Sequence, residues 1–329
     1  MEKLLIIGGP NFIGRVLLEA LAKQNRFEVT LFNRGITNAS LFPEVRRIVG
    51  DRNTTDVQRL ATEKWDYVID VACFLPGNLP QLLASINADV KHYVFISTVS
   101  VYKDEPGSLY PETAPTLAYD GTQDIDQPLG SPEWYGPRKA ECERMLQNSG
   151  LNHTILRPAL IYGSYDWTDR LSYWLYQVRK KETLFVPEGG TNLVAFTYVR
   201  DLVKTILQLL QQEGIGEVFN TVTAVLSIAN VVQLAKQATG LNPTVLSAPK
   251  AFLDEENLSY WSDLPLWLDN NAIWSKDKFE SRFGDEFTEL GQSLVDTVAY
   301  YESINWPEPP FRKLKDERYD ALVGRLMNR

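Results

Sequence analysis

Short apolar runs alternate along this chain with longer stretches of helical periodicity. Residues 3–7 are apolar without alternation, the mark of a strand covered on both faces. The run breaks at a glycine-bearing turn, residues 8–14, after which Val16, Leu17, Leu18, Ala20 and Leu21 recur at the spacing of one helix face. Further strands are predicted at residues 27–32, 45–49, 65–72, 92–97 and 153–157, with helical stretches between them. Parallel strands joined through helices require right-handed crossovers, so the pattern predicts an α/β fold built on a doubly wound parallel sheet of Rossmann type.

Beyond the sixth strand the pattern leaves the sheet. Proline cannot donate to a ladder, so Pro158 stops that strand. In the aromatic stretch 165–181, Leu171, Trp174, Leu175 and Val178 fall at helical spacing and belong to a core. Tyr165, Asp166, Trp167 and Arg170 precede that helix in a loop and are the candidates for substrate contact. Residues 194–210 are expected to return to the nucleotide-binding sheet as a strand and a helix, joined there by a strand at 218–220. Ser227 is placed to cap a helix. Residues 261–274 and a helix at 290–301 fill out a smaller, mostly helical C-terminal lobe, and the proline-rich stretch 306–310 stops the chain before a last charged helix. The expected division gives residues 1–162 and 193–225 to an NADP-binding domain. Residues 163–192 and 226–329 form a discontinuous substrate-binding lobe.

Composition narrows the function. A chain of 329 residues with 44% hydrophobic content can bury a substantial core. A net charge of −9, with no cluster of Lys and Arg, argues against a nucleic-acid surface. No apolar stretch reaches membrane-spanning length and the N-terminus reads as a strand rather than a signal, so a cytoplasmic protein is expected. Cys73 and Cys142 sit in apolar settings and are expected as reduced core thiols. The two histidines, His92 and His153, flank strands and suggest no metal site.

The candidate chemistry starts at the turn. A strand, a tight turn and a helix in that order place free backbone N–H groups and the positive end of a helix dipole where a pyrophosphate would sit. Gly8, Asn11, Phe12, Ile13 and Gly14 are therefore candidate cofactor contacts. The pattern is G-x-x-N-x-x-G, with Asn11 at a position otherwise taken by glycine; asparagine tolerates positive φ, so Asn11 is expected to hold the turn. The second strand ends in Asn33-Arg34, where the adenosine ribose is read. With no carboxylate for the 2′-hydroxyl and a cation suited to a 2′-phosphate, NADP is favoured and NAD is the alternative. Asp51, beside Arg52, offers an acceptor to the adenine amine or else simply forms a turn, and the small Ala72 lets a cofactor backbone pass closely.

Hydroxyls of Ser97 and Thr98 stand at the carboxyl edge of the sheet, where ligands bind in this architecture. Further on comes Tyr135-Gly-Pro-Arg-Lys139. Proline is best tolerated in a first helical turn, so Pro137 predicts a helix starting near Tyr135, with Tyr135 and Lys139 on one face. A tyrosine with pKa about 10 needs roughly 4 kcal/mol to act as a base near neutrality, at about 1.36 kcal/mol per unit. The Lys139 ammonium acts in that direction and also suits the nicotinamide ribose, while Thr98 suits the substrate oxygen that exchanges a proton.

The turn at 8–14, the Ser-Thr-x-x-Val-Tyr run at 97–102, Tyr135-x-x-x-Lys139, and Arg157-Pro-Ala-Leu-Ile-Tyr-Gly163 together resemble the extended short-chain dehydrogenase/reductases, the NAD(P)-dependent epimerase/dehydratase family. Thr30-Leu-Phe-Asn-Arg-Gly35, residues 168–174 and Val199-Arg-Asp-Leu202 are similar to a bacterial subgroup labelled 2′-hydroxyisoflavone reductase-like. The resemblance implies catalytic roles for Thr98, Tyr135 and Lys139, and places Pro158 beside the nicotinamide. The activity expected is an NADP(H)-dependent oxidoreductase acting on a small carbonyl or alcohol, since Arg34 points to the pool the cell keeps reduced. A sugar-nucleotide epimerase or dehydratase that retains NAD(P) is the alternative. A non-enzymatic NADP-binding regulator or RNA-binding protein is a further one. A monomer or homodimer is expected, with a small-molecule partner and neither nucleic acid nor membrane.

Overall fold

The computed structural model describes residues 1–103, 109–121, 132–212, 216–260, 262–285, 287–309 and 314–329. Trp261 and Pro310, at the edges of two predicted segments, lie outside them. In chain order the first half contains β1 (Glu2–Ile7), α1 (Phe12–Leu21), β2 (Phe27–Asn33), β3 (Arg46–Val49), β4 (Tyr67–Asp70), α2 (Leu79–Ala84), β5 (His92–Ile96), α3 (Pro132–Gln147) and β6 (His153–Pro158). The rest contains β7 (Leu160–Tyr162), α4 (Ser172–Lys180), β8 (Thr183–Pro187), β9 (Leu193–Tyr198), α5 (Val199–Leu209), β10 (Glu217–Thr221), β11 (Ala224–Ser227), α6 (Ile228–Thr239), β12 (Thr244–Ala248), α7 (Lys250–Glu255), α8 (Asp277–Phe283), α9 (Leu290–Ser303) and α10 (Asp316–Met327).

Among the described residues the main sheet has seven strands in the order β10-β6-β5-β4-β1-β2-β3. Every pairing in it is parallel. Leu4, Leu5, Ile6 and Ile7 are fully buried, as a central strand covered on both faces requires. From β1 the chain builds outward through β2 and β3, then crosses back to place β4 on the other side of β1. The strand order thus reverses between β1 and β4, and a crevice opens outside their carboxyl ends.

Two expectations from the sequence change here. β9 does not join the main sheet; it lies between β11 and β7 in a separate three-stranded sheet. Only α5, which packs on α1 and β5, returns to the nucleotide side with β10. Helix α3 begins at Pro132, a turn before Tyr135, so that Pro137 sits inside the helix rather than at its start. The segment tolerates it beside Gly136, whose missing side chain leaves room for the Ser100 carbonyl: a Cβ there would stand 2.2 Å from that oxygen. The later lobe holds α4, α6 and α9 against one another and adds a parallel pair, β8 with β12. Ser227 caps α6, its Oγ accepting from the Asn230 N–H at 3.1 Å.

Candidate active site

A cavity of 460 Å³ runs along the crevice from the first turn to α3. At one end the backbone shapes it. Gly8 and Gly9 have φ of 107° and 133°, a region open to glycine but not to other residues at low cost. A Cβ on Gly8 would meet the Ala72 side chain at 2.8 Å, and one on Gly14 would meet the Gly9 carbonyl at 2.6 Å. Strand, turn and helix therefore pack too closely for side chains, which leaves the first N–H groups of α1 facing the cavity wall made by Gly8–Gly14. Asn11 is not the residue that takes the left-handed conformation. Its φ is −131°, extended, and the positive φ of 29° falls on Phe12. The glycines before it already turn the chain.

Asn33 closes this end. Its side-chain amide donates to the Gly8 carbonyl at 2.8 Å and its side-chain oxygen accepts from the Gly35 N–H at 2.9 Å. It thus ties the turn to the end of β2. Arg34 is exposed on the cavity wall and makes no ion pair among the described residues. Asp51 accepts from the Asn53 N–H at 2.9 Å and lines the cavity while forming the turn after β3. Arg52 reaches inward to Asp70, 2.6 Å away, and Asp70 also accepts from the Tyr93 hydroxyl at 2.9 Å. Burial alone would weaken the Arg52 cation, but Asp70 more than offsets that and holds it charged. Its Nη2 is buried without a partner among the described residues.

Tyr135 occupies the other end, its ring 6.2 Å from that of Phe74, and both line the cavity. Ser97, Thr98, Lys139 and Pro158 do not line it. Thr98 caps a short turn at Val99–Val101: its Oγ1 accepts from the Ser100 N–H at 3.1 Å and donates to the Ser100 hydroxyl at 3.1 Å. Lys139 is buried, donating to the carbonyls of Cys73 at 2.8 Å and Ile96 at 2.7 Å. Its ammonium lies 4.2 Å from the Phe95 ring centre. Pro158 ends β6 in register with Thr221. The thiols of Cys73 and Cys142 touch at 3.5 Å and are both free.

The loop before α4 divides its side chains between two tasks. Trp167, Thr168 and Arg170 line the cavity. Tyr165 does not; it points to α1, where its hydroxyl donates to Glu19 at 2.7 Å and its ring lies under the Arg15 guanidinium at 3.8 Å. A φ of 67° at Tyr165 turns it that way. Asp166 is buried and accepts from the Thr168 N–H at 2.8 Å and the Thr168 hydroxyl at 2.5 Å, so it shapes the loop. Sequence reasoning missed Phe74, Leu75, Asn53 and Ile161 on the cavity wall. The position of Phe74 just past Ala72 was the available signal.

The model of the NAD dependent epimerase/dehydratase family matches residues 77–221. An uncharacterized UDP-glucose epimerase, YtcB, of Bacillus subtilis is 27% identical over 338 residues, covering 92% of this chain and 98% of that protein. The chloroplast stem-loop binding protein of 41 kDa b of Arabidopsis thaliana is 26% identical over 67% of this chain; the alignment spans 58% of that protein. Among solved structures, UDP-glucuronic acid 4-epimerase from Bacillus cereus, in complex with NAD, superposes with a TM-score of 0.67 at 21% identity, covering 93% of this chain and 100% of that one. UDP-glucose 4-epimerase from Thermotoga maritima, with UDP-glucose, gives 0.70 at 20% identity, covering 92% and 99%. These likenesses share the fold described above. No described helix is long and apolar enough to cross a membrane.

Proposed function

We propose that this chain is a sugar-nucleotide epimerase or dehydratase that retains its nicotinamide cofactor. The observation that carries the reading is one continuous cleft joining a glycine-walled helix N-terminus to Tyr135 and Arg170. The family match and the likeness to YtcB along 92% of the chain support it over the small-carbonyl reductase expected from Arg34. The turn fits a dinucleotide, because side chains at Gly8 or Gly14 would fill the cradle. Gly8, Asn11, Phe12, Ile13 and Gly14 would hold its phosphates, Asn33 and Arg34 its ribose end, and Asp51 and Arg52 its adenine, with Ala72 letting its backbone pass closely. Bound there, a nicotinamide supplies a hydride acceptor and, once reduced, a hydride donor.

The protein's own part is the proton. Tyr135 stands on the cleft wall as the acid/base group. Thr98, paired with the Ser100 hydroxyl, steadies the substrate oxygen, and Ser97 stands beside it at the end of β5. Lys139 holds the segment after β4 to β5 and adds positive charge on the same face of α3. Trp167 and Arg170 contact the substrate. Arg34, free of any carboxylate partner among the described residues, favours NADP, while the solved relatives named above are complexes with NAD or UDP-glucose.

The test is to purify the protein, identify the nucleotide that comes with it, and follow UDP-glucose and UDP-glucuronate by NMR for a changed ring configuration. Cofactor bound one to one and a new sugar isomer without net change in reduced nicotinamide is the expected result. Stoichiometric consumption of NADPH with a carbonyl compound, and no change in either sugar nucleotide, would restore the reductase. A second reading, RNA binding, has the Arabidopsis relative in its favour, but the net charge of −9 opposes it. Gel shift with a stem-loop RNA across a salt series decides it.

A further inference from the structure

Arg170 enters the cleft without an ion pair among the described residues. It lies at the end of the loop before α4, partly buried, and lines the cavity together with Tyr135, Trp167 and Thr168. Its Nε donates to the Thr168 hydroxyl at 3.1 Å, which fixes the plane of the guanidinium. Among the described residues neither Nη has a hydrogen bond or an ion pair. The nearby Asp166 accepts from Thr168 through its Oδ1. Burial depresses the Arg170 cation, and Asp166 and Tyr135 offset this only in part.

Two other arginines of the interior have a carboxylate partner. Arg157 meets Glu143 at 2.6 Å and Arg52 meets Asp70 at 2.6 Å. The fork geometry of a guanidinium on a cleft wall suits a carboxylate or phosphate gripped by two donors. A site for that anion is open only on the cleft side. Tyr135 lines the same space, so the anion belongs to the molecule on which Tyr135 acts.

We infer that Arg170 is the receptor for an oxyanion carried by the substrate, so that the enzyme selects an acidic sugar or the phosphates of its nucleotide over a neutral group. The inference rests on the cleft being the active site, as proposed above. A carboxylate on the sugar ring and the substrate's diphosphate share this chemistry, and the test separates them.

Calorimetric titration of cofactor-loaded protein with UDP-glucuronate and UDP-glucose would be compared for wild type, Arg170→Gln and Arg170→Lys. NADH and NADPH affinities serve as the check that each variant is folded. If the anion is a ring carboxylate, wild type binds UDP-glucuronate at least tenfold tighter than UDP-glucose, and Arg170→Gln reduces that ratio to near one. If it is the diphosphate, Arg170→Gln weakens both by tenfold or more. In either case Arg170→Lys retains part of the lost affinity, because a single charge is kept without the fork. Unchanged affinities for both ligands in a folded Arg170→Gln protein would overturn the inference.

Should neither sugar nucleotide bind wild type, the nucleotide-sugar reading falls while Arg170 is still tested. D-glucuronate and benzoate are then titrated against D-glucose and benzyl alcohol. Acids that bind wild type but not Arg170→Gln uphold the receptor, and equal behaviour of acids and neutral analogues overturns it.

Discussion

Lys139 donates its ammonium to the Cys73 carbonyl at 2.8 Å, and so fastens helix α3 to the segment that follows β4. A second bond, to Ile96 at 2.7 Å, extends the same fastening to β5. Removing this side chain strands two buried carbonyls, whereas removing the Tyr135 hydroxyl strands nothing recorded in the structure. Tyr135→Phe is therefore expected to keep its melting temperature and cofactor affinity while kcat falls by about 10²-fold or more, the usual scale for losing a general acid/base. Lys139→Met should lower melting temperature, cofactor affinity and kcat together. Calorimetry alongside single-turnover rates separates the two patterns, and a Tyr135→Phe enzyme keeping a tenth of wild-type kcat would remove tyrosine from the proton path.

Arg34 offers the cleanest reading of cofactor choice, because it stands exposed at the rim without an ion-pair partner among the described residues. Arg34→Ala is expected to weaken NADPH by roughly tenfold or more, the scale of about 1.5–3 kcal/mol for a hydrogen bond to a charged group, and to leave NADH nearly unchanged. Fluorescence titration of both cofactors measures it. Equal losses would mean that the guanidinium faces the adenine instead.

A buried ion pair sits behind the cleft. Arg157 grips Glu143 through Nε and Nη2, at 3.0 and 2.6 Å, and also donates to the Tyr102 hydroxyl at 2.8 Å. Arg157→Met leaves the Glu143 carboxylate, 2% exposed, without its counter-ion. A loss of about 3–5 kcal/mol is expected in urea unfolding. The double variant Arg157→Met with Glu143→Leu should regain most of it, since removing both charges also removes the cost of burying either.

His92 predicts a dependence of stability on pH. Its Nδ1 faces the carbonyls of Leu209 at 2.9 Å and Gln212 at 3.1 Å, so that nitrogen carries the proton and Nε2 accepts from the Thr154 hydroxyl at 2.8 Å. Burial lowers its pKa below the ordinary 6.5, with His153 adding to the effect and the two carbonyls opposing it. The unfolded chain thus takes up a proton near pH 6.5 that the folded one refuses. Stability is full above that pH and falls as the pH drops toward the folded-state value, by up to about 1.4 kcal/mol per unit. His92→Gln should flatten this part of the stability profile, measured by urea midpoints from pH 8 to 5. An unaltered slope would mean that the acid loss comes from carboxylates.

Much of the scaffold was legible because hydrophobic period and turn chemistry are local. The apolar run of β1, the glycine turn and the spacing of later strands each depend on neighbours within a few residues, and together they define the parallel sheet. Positions decided by distant partners were not legible. Asn33 reads only as a ribose contact, and its tie to the Gly8 carbonyl, 25 residues away, is hidden until the fold brings the two together. Tyr165 reads as a substrate contact until Glu19 is seen to accept from it across 146 residues. An apolar run declares that it will be buried, not which edge it will meet, so the sheet that β9 joins is not legible in its own residues. Likewise Asn11 stays extended because Gly8 and Gly9 already turn the chain.

The bond from Tyr165 to Glu19 has a thermodynamic corollary. Glu19 belongs to the helix whose first amides face the dinucleotide seat, and Tyr165 belongs to the loop that carries Trp167 and Arg170. Filling the seat steadies that helix, and a steadied helix gives the loop a firmer mooring, so the second ligand meets a surface whose ordering cost has already been met. The affinities for the two ligands are then coupled. By reciprocity a bound substrate tightens the hold on the cofactor by the same free energy.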